Sequence, residues 1–136
     1  MLNDIKKSFF TFRNGIVADT LRKAGMPYKV IFGLQIPQIA GIARNLSPSM
    51  ELAEQLWNDR EVRESRILAS YLFPVEEINL DKALNLARDV RTQEEADMLA
   101  FRLFKRLPFA DSLLSAMEKN PEIPQSAKTA LQNHLS

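Results

Sequence analysis

A helix-forming pattern that recurs along the chain limits the possible folds more than any other feature. The segment L-A-S-Y-L-F at 68–73 returns 31 residues later as L-A-F-R-L-F at 99–104, and in a weaker form as A-L-Q-N-H-L at 130–135. The helices that precede these segments match at nearly the same offset through Ala53 and Leu56, Ala83 and Leu86, and Leu114 and Met117. The repeating unit is therefore a pair of helices with its turn.

Helix pairs that recur every 30 to 45 residues or so, none of which can bury its apolar stripe alone, are typical of α-solenoids. We therefore predict an all-α fold in which antiparallel helix pairs stack as a short HEAT/armadillo-like α-solenoid. Residues 1–136 would form a single helical-repeat domain, with 68–73, 99–104 and 130–135 on equivalent inner helices. A compact helical bundle is the alternative, but the repeat of both helices favours the solenoid.

Glycine and capping residues predict where the helices lie. All four glycines fall within the first 41 residues, and the rest of the chain reads as helices and short turns. Residues 28–35 are strand-like but have no partner strand, so we expect a connector there. In the first half the caps predict helices at 2–13, at 16–24 and from Pro37, then one with Ser47 as N-cap and Pro48 at N1, and one at 60–73 capped by Asn58 or Asp59. In the second half they predict helices from Asn79 through Arg91 and at 92–107, 108–120 and 124–135, of which the helix at 92–107 begins with a Thr92 capping box.

Composition excludes several kinds of chemistry. The chain has no cysteine and one histidine, His134. Disulfides, iron–sulfur clusters and thiol nucleophiles are therefore excluded, and a histidine-based zinc site or a Ser–His–Asp triad is not expected. We predict no metal or other cofactor. No apolar run approaches the roughly 20 residues of a membrane span, and the first residues do not resemble a signal peptide, so we predict a cytoplasmic protein without a membrane partner.

The charge is unevenly distributed along the chain. Residues 1–47 hold seven Lys or Arg against two Asp, a balance of +5, whereas 48–136 hold eleven bases against fifteen acids, a balance of −4. The pairs Lys6-Lys7 and Arg22-Lys23 contribute to the first excess but stand isolated in the sequence. This asymmetry is compatible with a basic patch that attracts phosphates or with ordinary solvated helix faces.

Two motifs in the first half carry a resemblance to a known family. One is F-G-L-Q-I-P-Q-I-A-G-I-A-R from Phe32, and the other is E-L-A-E-Q-L-W-N-D-R-E-V-R-E-S-R-I-L-A-S-Y-L from Glu51. Together they resemble the pattern of the DNA alkylation repair enzymes built from HEAT-like repeats, the AlkD-like family. That pattern is a Y-G-V-x-x-P-x-L-R-x-I-A element, then L-A-x-x-L-W, a short turn and E-x-R-x-L-A. The resemblance covers about residues 28–115.

The resemblance implies an apparatus for removing alkylated bases. Members of the family cradle duplex DNA on a basic concave surface made by the second helices, and a W-x-x-x-D element places a Trp and an Asp beside the damaged nucleotide. A fixed carboxylate there stabilises the positive charge that develops on the sugar as the glycosidic bond breaks. Asp97 matches the family's Asp and is the candidate catalytic residue, but Gln93 stands where the Trp belongs. Typical members also continue for several more helices.

Two basic strips are candidates for contact with DNA. Arg60, Arg63 and Arg66 follow one another at intervals of three on one predicted helix, and Arg102, Lys105 and Arg106 lie on the equivalent inner helix. Together they predict a continuous phosphate-facing surface. The interleaved acids Glu61 and Glu64 also allow a solvated salt-bridged surface on the first strip.

Ordinary structural roles compete with these assignments. Asp97 lies near the start of its helix, where an acidic side chain interacts favourably with the helix dipole. Glu64 and Arg66 can form a charge pair that locks adjacent helices. The aromatic residues Trp57, Phe101 and Phe104 are expected in the core rather than on a base-stacking surface.

Three functions are compatible with these features. The first is a short DNA alkylation repair-like protein that binds duplex DNA by shape and backbone, with little or no glycosylase activity. The second is a HEAT-like scaffold that binds a protein partner on the same concave surface. The third is an active alkylpurine DNA glycosylase that uses Asp97 without the usual Trp.

The position of Asp97 allows a first prediction. Asp97→Asn should lower the free energy of unfolding by no more than ~1 kcal/mol, because the carboxylate contributes only its interaction with the helix dipole. Urea denaturation of the two proteins measures this difference. A decrease of several kcal/mol would show that Asp97 has a buried structural partner instead.

Overall fold

The fold is all-α, as predicted. A computed structural model describes residues 1–135, and over this range each helix has 9 to 11 residues, so none is long and apolar enough to cross a membrane. The helices are α1 Leu2–Thr11, α2 Gly15–Lys23, α3 Ile36–Arg44, α4 Met50–Asn58, α5 Arg63–Leu72, α6 Leu80–Arg88, α7 Gln93–Arg102, α8 Ala110–Glu118 and α9 Gln125–Leu135, with 3₁₀ turns at Val75–Glu77 and Phe104–Arg106.

Side-chain caps set the start of several helices. The Asn79 side chain accepts a hydrogen bond from the Lys82 amide at 2.8 Å, and the Thr92 hydroxyl accepts one from the Glu95 amide at 3.1 Å. The Glu95 carboxylate in turn accepts from the Arg91 amide at 2.9 Å. These bonds satisfy backbone groups that have no partner within a helix. The predicted starts of α6 and α7 are confirmed.

The start of α4 differs from the prediction. Ser49, rather than Ser47, is the N-cap, and its hydroxyl accepts from the Leu52 amide at 3.2 Å. Pro48 therefore precedes the cap instead of occupying the first helical position. The sequence S-P-S offers two serines, and the helix uses the one whose hydroxyl lies three residues before the Leu52 amide.

The start of α5 and the end of α7 also differ. The helix α5 begins at Arg63 and not near residue 60, because Val62 is held in an extended conformation by its bridge with Val30. The Asp59 carboxylate does not cap α5; it binds the Lys6 ammonium at 3.0 Å and accepts from the Ser65 hydroxyl at 2.6 Å. The helix α7 ends at Arg102 rather than at Leu107. Leu107, the residue before a proline, is held extended with ψ of 140°, and the chain reaches it through the 3₁₀ turn.

The chain forms two compact units, Met1–Phe73 and a second that begins at Pro74. In the first unit α1 packs on α4, α3 packs on α5, and α4 packs on α5. In the second unit α6 packs on α8, α7 packs on α9, and α8 packs on α9. The segments 99–104 and 130–135 belong to neighbouring elements. The single-domain organisation of 1–136 stays a prediction.

The helix α5 is the centre of the first unit. Nine of its ten residues are buried, on all sides of the helix. The buried set includes four polar or charged residues in its first turn and a fifth further on: Arg63, Glu64, Ser65, Arg66 and Ser70. Because buried polar groups need hydrogen-bond partners, the surroundings of α5 must supply them.

The connector before α3 supplies part of this environment. Val30 forms an isolated parallel bridge with Val62, and the Arg63 amide donates to the Val30 carbonyl at 3.2 Å. At the other end of the connector, the Asn14 amide donates to the Phe32 carbonyl at 2.8 Å. The connector, predicted to be irregular, is thus fixed between the start of α2 and the start of α5.

Gly33 allows the connector to approach α2. Its φ is +87°, which residues with a side chain rarely adopt, and a Cβ at this position would lie 2.2 Å from the Asn14 carbonyl oxygen. The contact is with backbone, so it cannot be relieved by a change of rotamer. A glycine is therefore required here.

Replacement of Gly33 tests this geometry. Gly33→Ala should lower the free energy of unfolding by about 1–3 kcal/mol, because the alanine would have both a strained φ and a clash with backbone. The matched control is Gly41→Ala within α3, where the added Cβ meets only the end of the Arg44 side chain at 3.5 Å. The control should stabilise by roughly 0.5–1 kcal/mol. Equal effects of the two substitutions in urea denaturation would contradict the described connector.

Candidate nucleic-acid interface

The first predicted basic strip does not form a surface. Arg60 is exposed in the turn between α4 and α5, but Arg63 and Arg66 are only 3% and 1% exposed. Burial excludes Arg63 and Arg66 from a phosphate-contacting surface in this structure, because a phosphate cannot reach their guanidinium groups. The interval of three predicts an exposed helix side, whether it contacts phosphates or solvent, whereas α5 is buried on every side.

Arg63 instead belongs to a buried hydrogen-bond cluster around Glu64. The Glu64 carboxylate, 0% exposed, accepts from the Phe32 and Gly33 amides, both at 3.0 Å. Arg63 Nη1 donates to Glu64 Oε2 at 2.8 Å and to the Leu34 carbonyl at 2.7 Å. We call these five residues the Glu64 cluster. It joins the first turn of α5 to the connector.

Arg66 binds the end of the preceding helix. Its guanidinium carbon lies 3.5 Å from the centroid of the Trp57 ring, and Nη1 donates to the Trp57 carbonyl at 2.9 Å. A cation–π contact shielded from water is stronger than an exposed one. Trp57 is 5% exposed, so its predicted packing role is confirmed, and the expected locking of α5 to α4 is made by Arg66 with Trp57 rather than with Glu64.

The second predicted strip lies at the end of α7. Lys105 and Arg106 are exposed on the 3₁₀ turn, and Arg102 is half-buried. Phe101 is 44% exposed, with Lys105 Nζ at 4.1 Å and the Arg102 guanidinium carbon at 5.7 Å from its ring centroid. We call Phe101, Arg102, Lys105 and Arg106 the α7 strip. It combines positive charge with an accessible aromatic ring.

A second ring lies beside the α7 strip. The imidazole of His134 in α9 is 5.5 Å from the Phe101 ring, centroid to centroid, at an angle of 35°. Phe104, three residues further along, is 1% exposed and packs in the core as predicted. The expected core position of Phe101 is wrong, since this ring faces solvent.

Asp97 lies on the same side of α7 as Phe101, one turn earlier. It is exposed, and Gln93 Nε2 donates to its Oδ1 at 2.9 Å. Water around an exposed carboxylate screens its field, so it stabilises a developing cation far less than an enclosed carboxylate does. The amide of Gln93 fills the place where the resemblance expects an aromatic ring.

A pattern in the sequence could have located Phe101. Gln93, Asp97, Phe101 and Lys105 follow at intervals of four, which places three polar residues and Phe101 on one helix side. The burial of Arg63 and Arg66 had no comparable signal, because charged residues at intervals of three usually mark a solvated face.

The described part of the chain offers no metal centre. Across residues 1–135 no group of three or more His, Cys, Asp or Glu side chains is placed to hold a metal ion. Of the predicted contact residues, those that remain exposed or half-buried define the candidate interface. It consists of the α7 strip with its neighbours Gln93, Asp97 and His134, and of the separate exposed residue Arg60.

Comparisons with known proteins leave these residues to be interpreted on their own geometry. The chain matches no family model, no curated protein and no solved structure. The AlkD-like resemblance is therefore an expectation that depends on the motifs quoted above.

The Glu64 cluster allows a prediction about stability. Glu64→Gln should lower the free energy of unfolding by about 3–5 kcal/mol, since it leaves the buried Arg63 charge uncompensated and turns an NH₂ group toward a backbone amide. The exposed Glu51 provides the control, and Glu51→Gln should cost no more than ~1 kcal/mol. Urea denaturation of both variants measures the difference. A cost for Glu64→Gln as small as for the control would mean that the cluster does not hold the connector.

Proposed function

We propose that this protein is a short DNA alkylation repair-like helical-repeat protein that binds duplex DNA and has little or no glycosylase activity. The observation that carries the proposal is the α7 strip, where Lys105 and Arg106 are exposed beside the half-buried Arg102. The proposed contact is with backbone phosphates and not with base edges.

The electrostatics of the α7 strip support phosphate binding. Its three basic residues lie within a stretch of five residues, whereas the net charge of the whole chain is only +1. A local concentration of Lys and Arg is what releases counterions from DNA, so a small net charge is no obstacle. Phosphate contacts set position and orientation on the duplex and carry no sequence information, so we propose binding to duplex DNA of any sequence.

The surroundings of Asp97 support the second half of the proposal, the low activity. A carboxylate assists bond cleavage only if the sugar is held against it, and Asp97 is hydrogen-bonded to Gln93 on an open helix face. A misplacement of about 1 Å can cost ~100-fold in rate. We therefore expect release of methylated purines to be near background.

Duplex binding tests the proposal. Lys105→Ala/Arg106→Ala should reduce the slope of log K against log salt concentration by about 2, because each of the two side chains neutralises one phosphate. Fluorescence anisotropy with a labelled duplex over a range of salt concentrations measures the slope. The control, Arg44→Ala/Lys119→Ala, removes the same two residue types from other exposed positions and should leave the slope unchanged.

Two other results would replace the proposal. Absence of duplex binding at low salt would favour the protein-interaction scaffold. Robust release of methylated purine that disappears in Asp97→Asn would instead identify an active alkylpurine glycosylase, with Gln93 as a working substitute for the tryptophan.

A further inference from the structure

Two clefts in the first unit share Phe10 in their linings. One, of about 650 Å³, is lined in part by Arg13, Arg22 and Lys29, and the other, of about 690 Å³, in part by Lys6 and Lys7. Both are also lined by Phe10, Thr11 and Phe32. We call them the Phe10 clefts. They bring together basic residues that stand isolated in the sequence.

The Phe10 clefts are positively charged. Among the described residues that line them, five are Lys or Arg and none is Asp or Glu. Lys6 is paired with Asp59 from outside the clefts, at 3.0 Å. The remaining four cations face a lining without acids, and this arrangement favours an anionic ligand.

Phe10 provides an accessible aromatic surface between the charges. Its side chain is 56% exposed, although the Arg13 guanidinium carbon already lies 3.8 Å from the ring centroid. Arg13 Nη1 also donates to the Phe10 carbonyl at 2.8 Å, which holds the guanidinium over the ring. The guanidinium plane and the ring together form a platform on which a flat group can stack.

Arg22 is fixed at the wall of the first cleft. Its Nη1 donates to the Tyr28 carbonyl and its Nη2 to the Lys29 carbonyl, both at 3.3 Å. These bonds anchor the guanidinium beside Lys29, and each of its NH₂ groups retains a second N–H. A phosphate in this cleft would thus meet a positioned arginine and a flexible lysine.

We infer that the Phe10 clefts bind single-stranded nucleic acid, with one base stacked on Phe10 and Arg13 and the flanking phosphates in the cationic cleft on each side. A basic groove that follows the backbone, combined with aromatic rings for the bases, is the general mode of single-strand binding. A duplex does not offer its base faces to such a platform. The site is therefore distinct in residues and ligand from the α7 strip proposed above.

Replacement of the aromatic ring tests the stacking. Phe10→Leu keeps apolar volume but removes the ring, and it should weaken binding of a labelled oligothymidylate about ten-fold. The control is Phe12→Leu, because Phe12 is 49% exposed but lies outside the Phe10 clefts. Circular dichroism and urea denaturation show whether each variant remains folded. Equal affinities of the two variants would overturn the stacking role.

Replacement of the cations tests the phosphate contacts. Lys7→Ala/Lys29→Ala should reduce the salt slope for the oligothymidylate by about 1.4, which is 0.7 for each single-strand phosphate contact. Arg44→Ala/Lys119→Ala, which removes two exposed cations outside both proposed sites, serves as the charge-matched control and should leave this slope unchanged. An unchanged slope in Lys7→Ala/Lys29→Ala would overturn the inference.

Crossed measurements separate this inference from the proposed function. Phe10→Leu should leave duplex affinity unchanged, so weakened oligothymidylate binding with intact duplex binding supports the Phe10 clefts on their own. If the α7 strip variant alone failed to bind both ligands, the inference would fail and the proposed function would stand. Binding of wild type to vesicles of anionic phospholipid, with no affinity for oligothymidylate, would overturn the inference in favour of a membrane surface.

Discussion

The buried carboxylate of Glu64 is the group on which the first unit depends. It makes three hydrogen bonds, two from the amides of the connector and one from Arg63, and it is fully removed from water. Removing a carboxylate and a guanidinium from water costs several kcal/mol per ion, and hydrogen bonds to the charged forms offset that cost. The bonds to the Leu34 carbonyl and to the two amides are therefore as necessary as the ion pair itself.

This constraint explains how a motif rich in charge becomes the interior of a fold. The sequence from Arg60 to Arg66 contains three arginines. Arg63 is bound to Glu64 and the Leu34 carbonyl, and Arg66 is bound to the ring and carbonyl of Trp57. Their charge cannot reach a ligand. Of the three, Arg60 alone is exposed. The exposed cations on which the two proposals depend lie on the α7 strip of the second unit and around Phe10 of the first.

The sequence predicted the positions of the helices better than it predicted which of their charged side chains are buried. Caps such as Asn79 and Thr92 act through neighbours three residues away, so local pattern was sufficient to locate α6 and α7. The burial of Arg63 depends on Leu34, which lies 29 residues earlier, and no local pattern contains that contact. For the same reason the local pattern predicts Asp59 as a cap, whereas its carboxylate binds Lys6, 53 residues earlier, and accepts from the Ser65 hydroxyl.

Hydrogen exchange of the Phe32 and Gly33 amides tests the central role of Glu64 most directly. Both amides lie in an irregular connector, where exchange is normally fast. If the buried carboxylate holds them, they should exchange only when the first unit unfolds, at the same rate as the Leu68 amide in α5 measured by NMR. Exchange of the Phe32 and Gly33 amides at the rate of an open loop, with the Leu68 amide still protected, would contradict the account.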